Sequence, residues 1–130
     1  MTEHSVFERI ALGVIRTASI LILFLPLLIT EQTLFPYIFG KALFFQMLVE
    51  VASVFWVYLM ISDPAYRPSW RNPLVGIIIG YSAVVLIAGI LGVDPAQSFW
   101  SNHERMGGTF MQMHLALFAI MLGSVFHSRE

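Results

Sequence analysis

Four apolar stretches, each about twenty residues long, divide this 130-residue chain; they lie at about 10–29, 42–61, 74–91 and 109–126. An α-helix of that length rises about 30 Å, the thickness of the hydrocarbon core of a bilayer. Charged residues make up only 12% of the chain, whereas soluble domains carry about a quarter. The sequence therefore predicts one all-α domain over 1–130, a polytopic membrane protein with four antiparallel transmembrane helices and short loops.

The segments between these stretches are short and contain Pro and Gly, which are typical of loops. Short loops make consecutive helices antiparallel, so both chain ends are expected on the same side of the membrane. The positive-inside rule places that side in the cytoplasm, because most Lys and Arg fall there. Arg9, Arg16, Arg67, Arg71 and Arg129 fall on that side, and Lys41 and Arg105 fall on the other.

The composition disfavours several classes of function. A net charge of −1 without a basic cluster gives no basis for binding nucleic acid, which requires many phosphate contacts. The absence of Cys excludes thiolate catalysis and disulfides. His103, Glu104 and His114 lack the spacing of a metal site, so neither a metal nor a cofactor is expected.

Glu3 and Glu8 dilute the positive start that a signal peptide would have. The first stretch is therefore interpreted as a retained membrane anchor.

Glu50 lies about nine residues into the second stretch, near the middle of the membrane. A carboxylate at that depth is costly, so a polar partner is expected, and Glu50 is either a functional residue or a packing residue, protonated or hydrogen-bonded, that joins helices. Gln46 lies one turn earlier on the same helix face, and the candidate partners of Glu50 are Ser82, Gln112 and His114. Two interpretations of Glu50 and His114 stay open: a proton-handling or substrate-contacting site, and hydrogen bonds that join helices.

The segment 98–108 is the most polar part of the chain and precedes the fourth stretch. It combines Trp100 with His103, Glu104 and Arg105. An Arg and the backbone N–H groups at a helix start can bind an anion, so a lipid diphosphate head group could dock here. The alternative is that Glu104 and Arg105 pair locally or with lipid phosphates while Trp100 anchors the loop at the membrane interface.

Small residues recur in the third stretch, where Gly76 and Gly80 form a G-x-x-x-G pattern. Such a pattern lets the backbones of two membrane helices approach closely. We therefore expect this stretch to pack tightly, either within the chain or against a partner.

A set of short strings follows in order along the chain: LFPYIFGK at 34–41, FFQMLVE at 44–50, DPAYRP at 63–68, GVDP at 92–95, SFWSN at 98–102 and ERMGG at 104–108. Together they resemble the N-terminal section of bacterial O-antigen ligase-like membrane proteins, a group that includes O-antigen ligases and polymerases. The resemblance covers nearly the whole chain, from about 10 to 126.

This resemblance implies an inner-membrane glycosyltransferase that moves a glycan from undecaprenyl diphosphate to a lipid or glycan acceptor, in lipopolysaccharide and other cell-envelope polysaccharide assembly. Such chemistry uses no metal or nucleotide sugar, because the lipid diphosphate is the leaving group. In the family the catalytic residues lie chiefly on a large periplasmic loop between later spans. The resemblance therefore implies the N-terminal scaffold of a longer protein, not catalytic alone, with Arg105 and Glu50 as candidates for supporting roles.

Two other functions fit the same sequence. The first is a small non-enzymatic four-helix membrane subunit that packs in a larger complex through its third stretch. A reading frame that continues past Glu130 into further apolar spans would favour the glycosyltransferase, and a stop codon there would favour the subunit. The second is a proton-coupled carrier that works through Glu50 and His114. Unchanged transport in a Glu50→Gln variant would eliminate this carrier function.

Overall fold

The computed structural model describes residues 6–27, 38–102 and 107–127, and these residues form helices and no strand. Four of the helices, the first together with the turn that follows it, are long and apolar enough to cross a membrane. The prediction of an all-α polytopic fold is therefore confirmed. The helices are α1 (Val6–Phe24), α2 (Phe39–Ser62), α3 (Pro73–Leu91), α4 (Pro95–Trp100) and α5 (Thr109–His127), with 3-10 turns at Leu25–Leu27 and Pro64–Tyr66.

Three of these helical elements begin at an Asp or Asn that is followed by Pro. The side-chain oxygen accepts a hydrogen bond from a backbone N–H of the first turn, at 2.8 Å for Asp63, 3.0 Å for Asn72 and 2.9 Å for Asp94. Pro suits the next position because the first N–H of a helix has no partner within the helix. The cap at Asp94 starts α4, a short helix within the segment 92–108 that the sequence pattern predicts as a loop.

Helices α1 and α2 are antiparallel and pack against each other. The ring centroids of Phe7, at the start of α1, and Tyr58, near the end of α2, lie 4.6 Å apart. Lys41, near the start of α2, donates a hydrogen bond of 2.8 Å to the carbonyl of Pro26, just after α1. We call the end of the molecule at which α2 begins the Lys41 end.

Helix α5 lies between α2 and α3, although it is the last of the described helices in the sequence. It runs parallel to α2, because Gln46 and Glu50 contact Met111 and His114 in the same order. It runs antiparallel to α3, because Gly89, near the end of α3, lies against the first residue of α5. The start of α1 and the end of α5 therefore lie at the same end of the molecule, opposite the Lys41 end.

A buried core joins α1, α2 and α5. Small side chains on α1 and α2 let the two backbones approach closely, which increases dispersion contacts. The indole N–H of Trp56 donates to the carbonyl of Tyr66 at 3.3 Å, so the polar atom of this buried ring has a partner. The core consists of Ala11, Leu12, Ile15, Ala18, Ala52, Trp56, Leu59, Tyr66, Met121 and Val125.

Helix α3 buries little of its surface, and Val75 is its one buried residue. Among the described residues, nothing lies within 4 Å of a Cβ added at Gly76 or Gly80. The close approach of α3 to α5 occurs instead at Gly89, where a Cβ would lie 2.9 Å from the hydroxyl oxygen of Thr109. The G-x-x-x-G pattern therefore takes no part in the packing that the structure describes.

Candidate functional site

Glu50 and His114 meet between α2 and α5. Because these helices run parallel, the middle of α2 lies level with the second turn of α5. Glu50 Oε1 lies 3.2 Å from His114 Nε2, and the side chains are 59% and 9% exposed, respectively. His114 is thus the one of the three candidate partners that the structure places against Glu50. Ser82, another candidate, donates to the carbonyl of Ile78 on its own helix.

The second ring nitrogen of His114 decides how this pair shares protons. His114 Nδ1 lies 2.8 Å from the carbonyl oxygen of Phe110, and a carbonyl only accepts, so Nδ1 is assigned the hydrogen. A neutral imidazole with its hydrogen on Nδ1 only accepts at Nε2, and a carboxylate also only accepts. The contact between Glu50 and His114 is therefore a hydrogen bond only when the pair carries one more proton. Either an imidazolium donates to a carboxylate or a carboxylic acid donates to a neutral imidazole. Both forms have no net charge, which lowers the cost of placing the pair within a bilayer.

Gln46 makes a second polar contact between the same helices, one turn before Glu50. Its side chain is buried, and Nε2 donates to Met111 Sδ over 3.8 Å, a weak hydrogen bond because thioether sulfur is a weak acceptor. The two contacts lie on successive turns of α2 and therefore favour one register of α2 against α5. The arrangement fits both interpretations made from the sequence, helix-joining hydrogen bonds and a proton-handling pair.

An aromatic cluster connects α4 to the start of α5 beside this pair. The ring centroids of Phe110 and His114 lie 4.4 Å apart. Phe99 and Trp100 pack on Phe110 at 5.6 Å and 5.2 Å. Trp100, predicted to anchor a loop or to contact a diphosphate, is 62% exposed and forms the outer part of this cluster at the Lys41 end. It can therefore serve as an interfacial side chain while fixing α4 to α5.

The other residues predicted for the polar loop, His103, Glu104 and Arg105, lie outside the described residues. The anion contact predicted for Arg105 stays a prediction. Within the ranges 6–27, 38–102 and 107–127, no group of three or more His, Asp or Glu is placed to hold a metal ion.

An apolar groove opens at the Lys41 end, between the end of α1 and the starts of α2 and α5. Its volume is about 540 Å³, within the usual range for small-molecule sites. Lys41 lines it, and the ammonium has two further N–H donors beside the one directed to the carbonyl of Pro26. The apolar walls include Ile22, Leu25, Phe45, Met111 and Leu115.

Lys41 is a residue that the sequence identifies only by its charge, as one of two cations on the outer side. The available signal is its position at the end of the LFPYIFGK string and at the start of an apolar helix. That signal does not predict a groove, because Leu25 and Met111 reach Lys41 only through the packing of α1 and α5 on α2.

A second groove, of about 720 Å³, lies between α1 and α5. Arg16 is the charged residue in its lining, and the remaining lining is mainly apolar. Helix α1 begins at Val6, so Arg16 lies about 15 Å along the helix at 1.5 Å per residue. Two grooves of this molecule therefore combine apolar walls with a single cation.

The length and apolar composition of the four candidate transmembrane helices define the class: an all-α polytopic membrane protein. Comparisons with known protein families, with curated proteins and with solved structures found no match.

Proposed function

We propose that this chain is the transmembrane scaffold portion of an O-antigen ligase-like glycosyltransferase acting on undecaprenyl diphosphate-linked glycans, and that it is not catalytic alone. The observation that carries the proposal is the groove at the Lys41 end, to which three of the resembling strings contribute. Ile38 and Lys41 belong to 34–41, Phe45 to 44–50 and Gly107 to 104–108. One binding site lined by all three strings would explain why residues that are distant in the sequence belong to the same resemblance.

The groove has the chemical character that a polyprenyl diphosphate requires. Its apolar walls favour burial of isoprenoid units, because the hydrophobic effect scales with the apolar area removed from water. The Lys41 ammonium supplies charge-assisted hydrogen bonds to phosphate oxygens. A ligand with a long apolar chain and an anionic head group matches both parts of the groove.

In this role the chain binds and orients the carrier, and the glycan is transferred elsewhere. The resemblance assigns the catalytic residues to a large periplasmic loop between later spans. Holding the diphosphate at Lys41 would fix the leaving group relative to such a loop, and fixed geometry is a large contribution to enzymatic rates. The proposed location is the bacterial inner membrane, with both termini in the cytoplasm and the Lys41 end in the periplasm.

Native mass spectrometry of the purified chain with added carrier lipid tests this proposal. The probes are undecaprenyl diphosphate and undecaprenol, which has the same apolar chain without phosphates. We expect the diphosphate to bind at least about tenfold more tightly, because a hydrogen bond to a charged group contributes roughly 1.5–3 kcal/mol. In Lys41→Gln the two affinities should become nearly equal.

Arg67→Gln is the matched control. It also removes one positive charge and one side-chain hydrogen bond, from Arg67 Nε to the carbonyl of Met60 at 2.9 Å, but beyond the opposite end of α2. It should bind the diphosphate like the unmodified chain. Equal diphosphate binding by the unmodified chain and Lys41→Gln would contradict the proposal. A loss in Arg16→Gln instead would place the ligand in the second groove.

A second function, a small non-enzymatic membrane subunit, is favoured by the exposed surface of α3. Gly76 and Gly80 have open space around them, and such a face can receive a helix of a larger complex. In that case Gly80→Leu should release the chain from the complex, as measured by native electrophoresis of gently solubilised membranes. The unmodified chain should then bind no carrier lipid. Carrier binding that depends on Lys41, with no larger complex, would reject this alternative.

A further inference from the structure

Helix α2 presents exposed side chains along one face. They recur every three or four positions, so they share a side of the helix. From 43 to 61 the face is about 27 Å long at 1.5 Å per residue, close to the thickness of the hydrocarbon core. This face, the outer stripe, consists of Leu43, Met47, Glu50, Val54, Val57 and Ile61.

Glu50 is the polar residue of the outer stripe and lies near its middle. Its Oε1 contacts His114, yet 59% of the side chain is exposed, and the described residues provide no donor to Oε2. Lipid chains have no hydrogen-bond donors, and ionisable groups within membranes face a bundle interior or a polar partner. Lipid alone against the outer stripe would therefore leave part of this carboxyl group without a hydrogen bond.

We propose that the outer stripe binds a transmembrane helix from outside these four, and that this helix carries an uncharged hydrogen-bond donor, a side-chain amide or hydroxyl, at the depth of Glu50. The donor is uncharged because Glu50 and His114 together have no net charge, so a Lys or Arg would bring an uncompensated charge into the bilayer. Apolar side chains at spacings of three and four residues are the pattern that packs into the grooves of another helix. This inference does not depend on the proposed carrier groove.

Energy transfer in lipid vesicles, between the labelled full chain and labelled model helices, tests the inference. The probes are a transmembrane polyleucine helix with one central Gln and the same helix with Leu at that position. We expect the chain to associate with the Gln helix about 3- to 10-fold more strongly than with the Leu helix, the range for one hydrogen bond between membrane helices. The Gln helix is used at a density at which it does not pair with itself.

Three variants identify the atom responsible. Glu50→Leu should lower association with the Gln helix to that with the Leu helix, whereas Glu50→Gln, whose amide oxygen still accepts, should retain the difference. Met47→Leu is the matched control on the same stripe and should behave like the unmodified chain. Circular dichroism verifies that each variant is helical.

Two results would overturn the inference. One is equal association of the unmodified chain with both probes. The other is energy transfer between labelled copies of the unmodified chain that Glu50→Leu abolishes, because the outer stripe would then bind a second copy of this chain.

Discussion

Glu50 and His114 stabilise each other in a place where each would be costly alone. The carboxyl group lies on the exposed side of α2, and the imidazole is nearly fully buried. The carbonyl of Phe110 orients the ring through Nδ1 at 2.8 Å, so Nε2 is directed toward Glu50. A histidine whose ring is fixed through one nitrogen can exchange a proton through the other.

A double-mutant cycle measures this interaction. Glu50→Leu and His114→Leu should each lower the free energy of unfolding, because each leaves the other polar group without its partner. We expect a coupling energy of about 0.5–2 kcal/mol, measured by reversible unfolding in mixed micelles. Ser82→Ala combined with Glu50→Leu is the control and should be additive within about 0.5 kcal/mol, because Ser82 lies on α3, which does not pack against α2 among the described helices. Additive effects for Glu50 and His114 would show that the contact contributes nothing to stability.

The sequence predicts the candidates for this pair but does not select between them. Glu50 is conspicuous because a carboxylate interrupts an apolar stretch, and Gln46 follows from helical spacing. The choice of His114 over Ser82 depends on α5, and not α3, lying beside α2. No residue pattern in the chain encodes that order, so the selection requires the structure.

Helices α4 and α5 are joined by a tight backbone approach. Ser101, directly after α4, has φ 61°, a region that residues with a side chain rarely adopt. Its N–H donates to the carbonyl of Gln97 at 2.7 Å. A Cβ added at Gly108 would overlap the carbonyl of Phe99 and approach the backbone N of Ser101. Because backbone atoms cannot move aside as a flexible side chain can, this junction requires glycine at 108.

Gly108→Ala should therefore separate α4 from α5 and destabilise the protein by about 1–3 kcal/mol, the usual cost of overpacking. Thermal unfolding in detergent, followed by circular dichroism, measures the change. The control is Gly80→Ala, which adds the same methyl group where nothing lies within 4 Å. It should be neutral or stabilise by up to about 1 kcal/mol, because Ala favours the helix more than Gly. Equal effects of the two substitutions would contradict the close approach at Gly108.

The long helices are predictable from sequence because each is a nearly uninterrupted run of apolar residues. The structure starts α2 at Phe39 and α3 at Pro73, within three residues of the predicted starts at 42 and 74. Helix α4 is not predicted, because six residues beginning with Pro do not establish a hydrophobic period. The Asp94-Pro95 pair that marks a loop in the sequence is the cap that starts this helix.

The orientation of the whole molecule is predicted by its cations and by the alternating direction of its helices. An alkaline phosphatase reporter, active only outside the cytoplasm, should be active when fused at Asn102 and inactive when fused at Arg71, between α2 and α3. The physical reason is the preference of Lys and Arg for the cytoplasmic side. Active fusions at Arg71 and inactive fusions at Asn102 would reverse the proposed orientation and place the Lys41 groove in the cytoplasm.

The position of α5 between α2 and α3 has a consequence for biosynthesis. The ribosome completes α3 before α5, so the newly made α3 has to stay in the bilayer before the long helix that packs against it among the described residues exists. Helix α3 has no charged residue and is the most apolar of the four candidate spans, so lipid alone can hold it. The order in which the helices are synthesised therefore differs from the order in which they pack. Of the four candidate spans, α3 has the composition that is most stable in lipid before α5 is made.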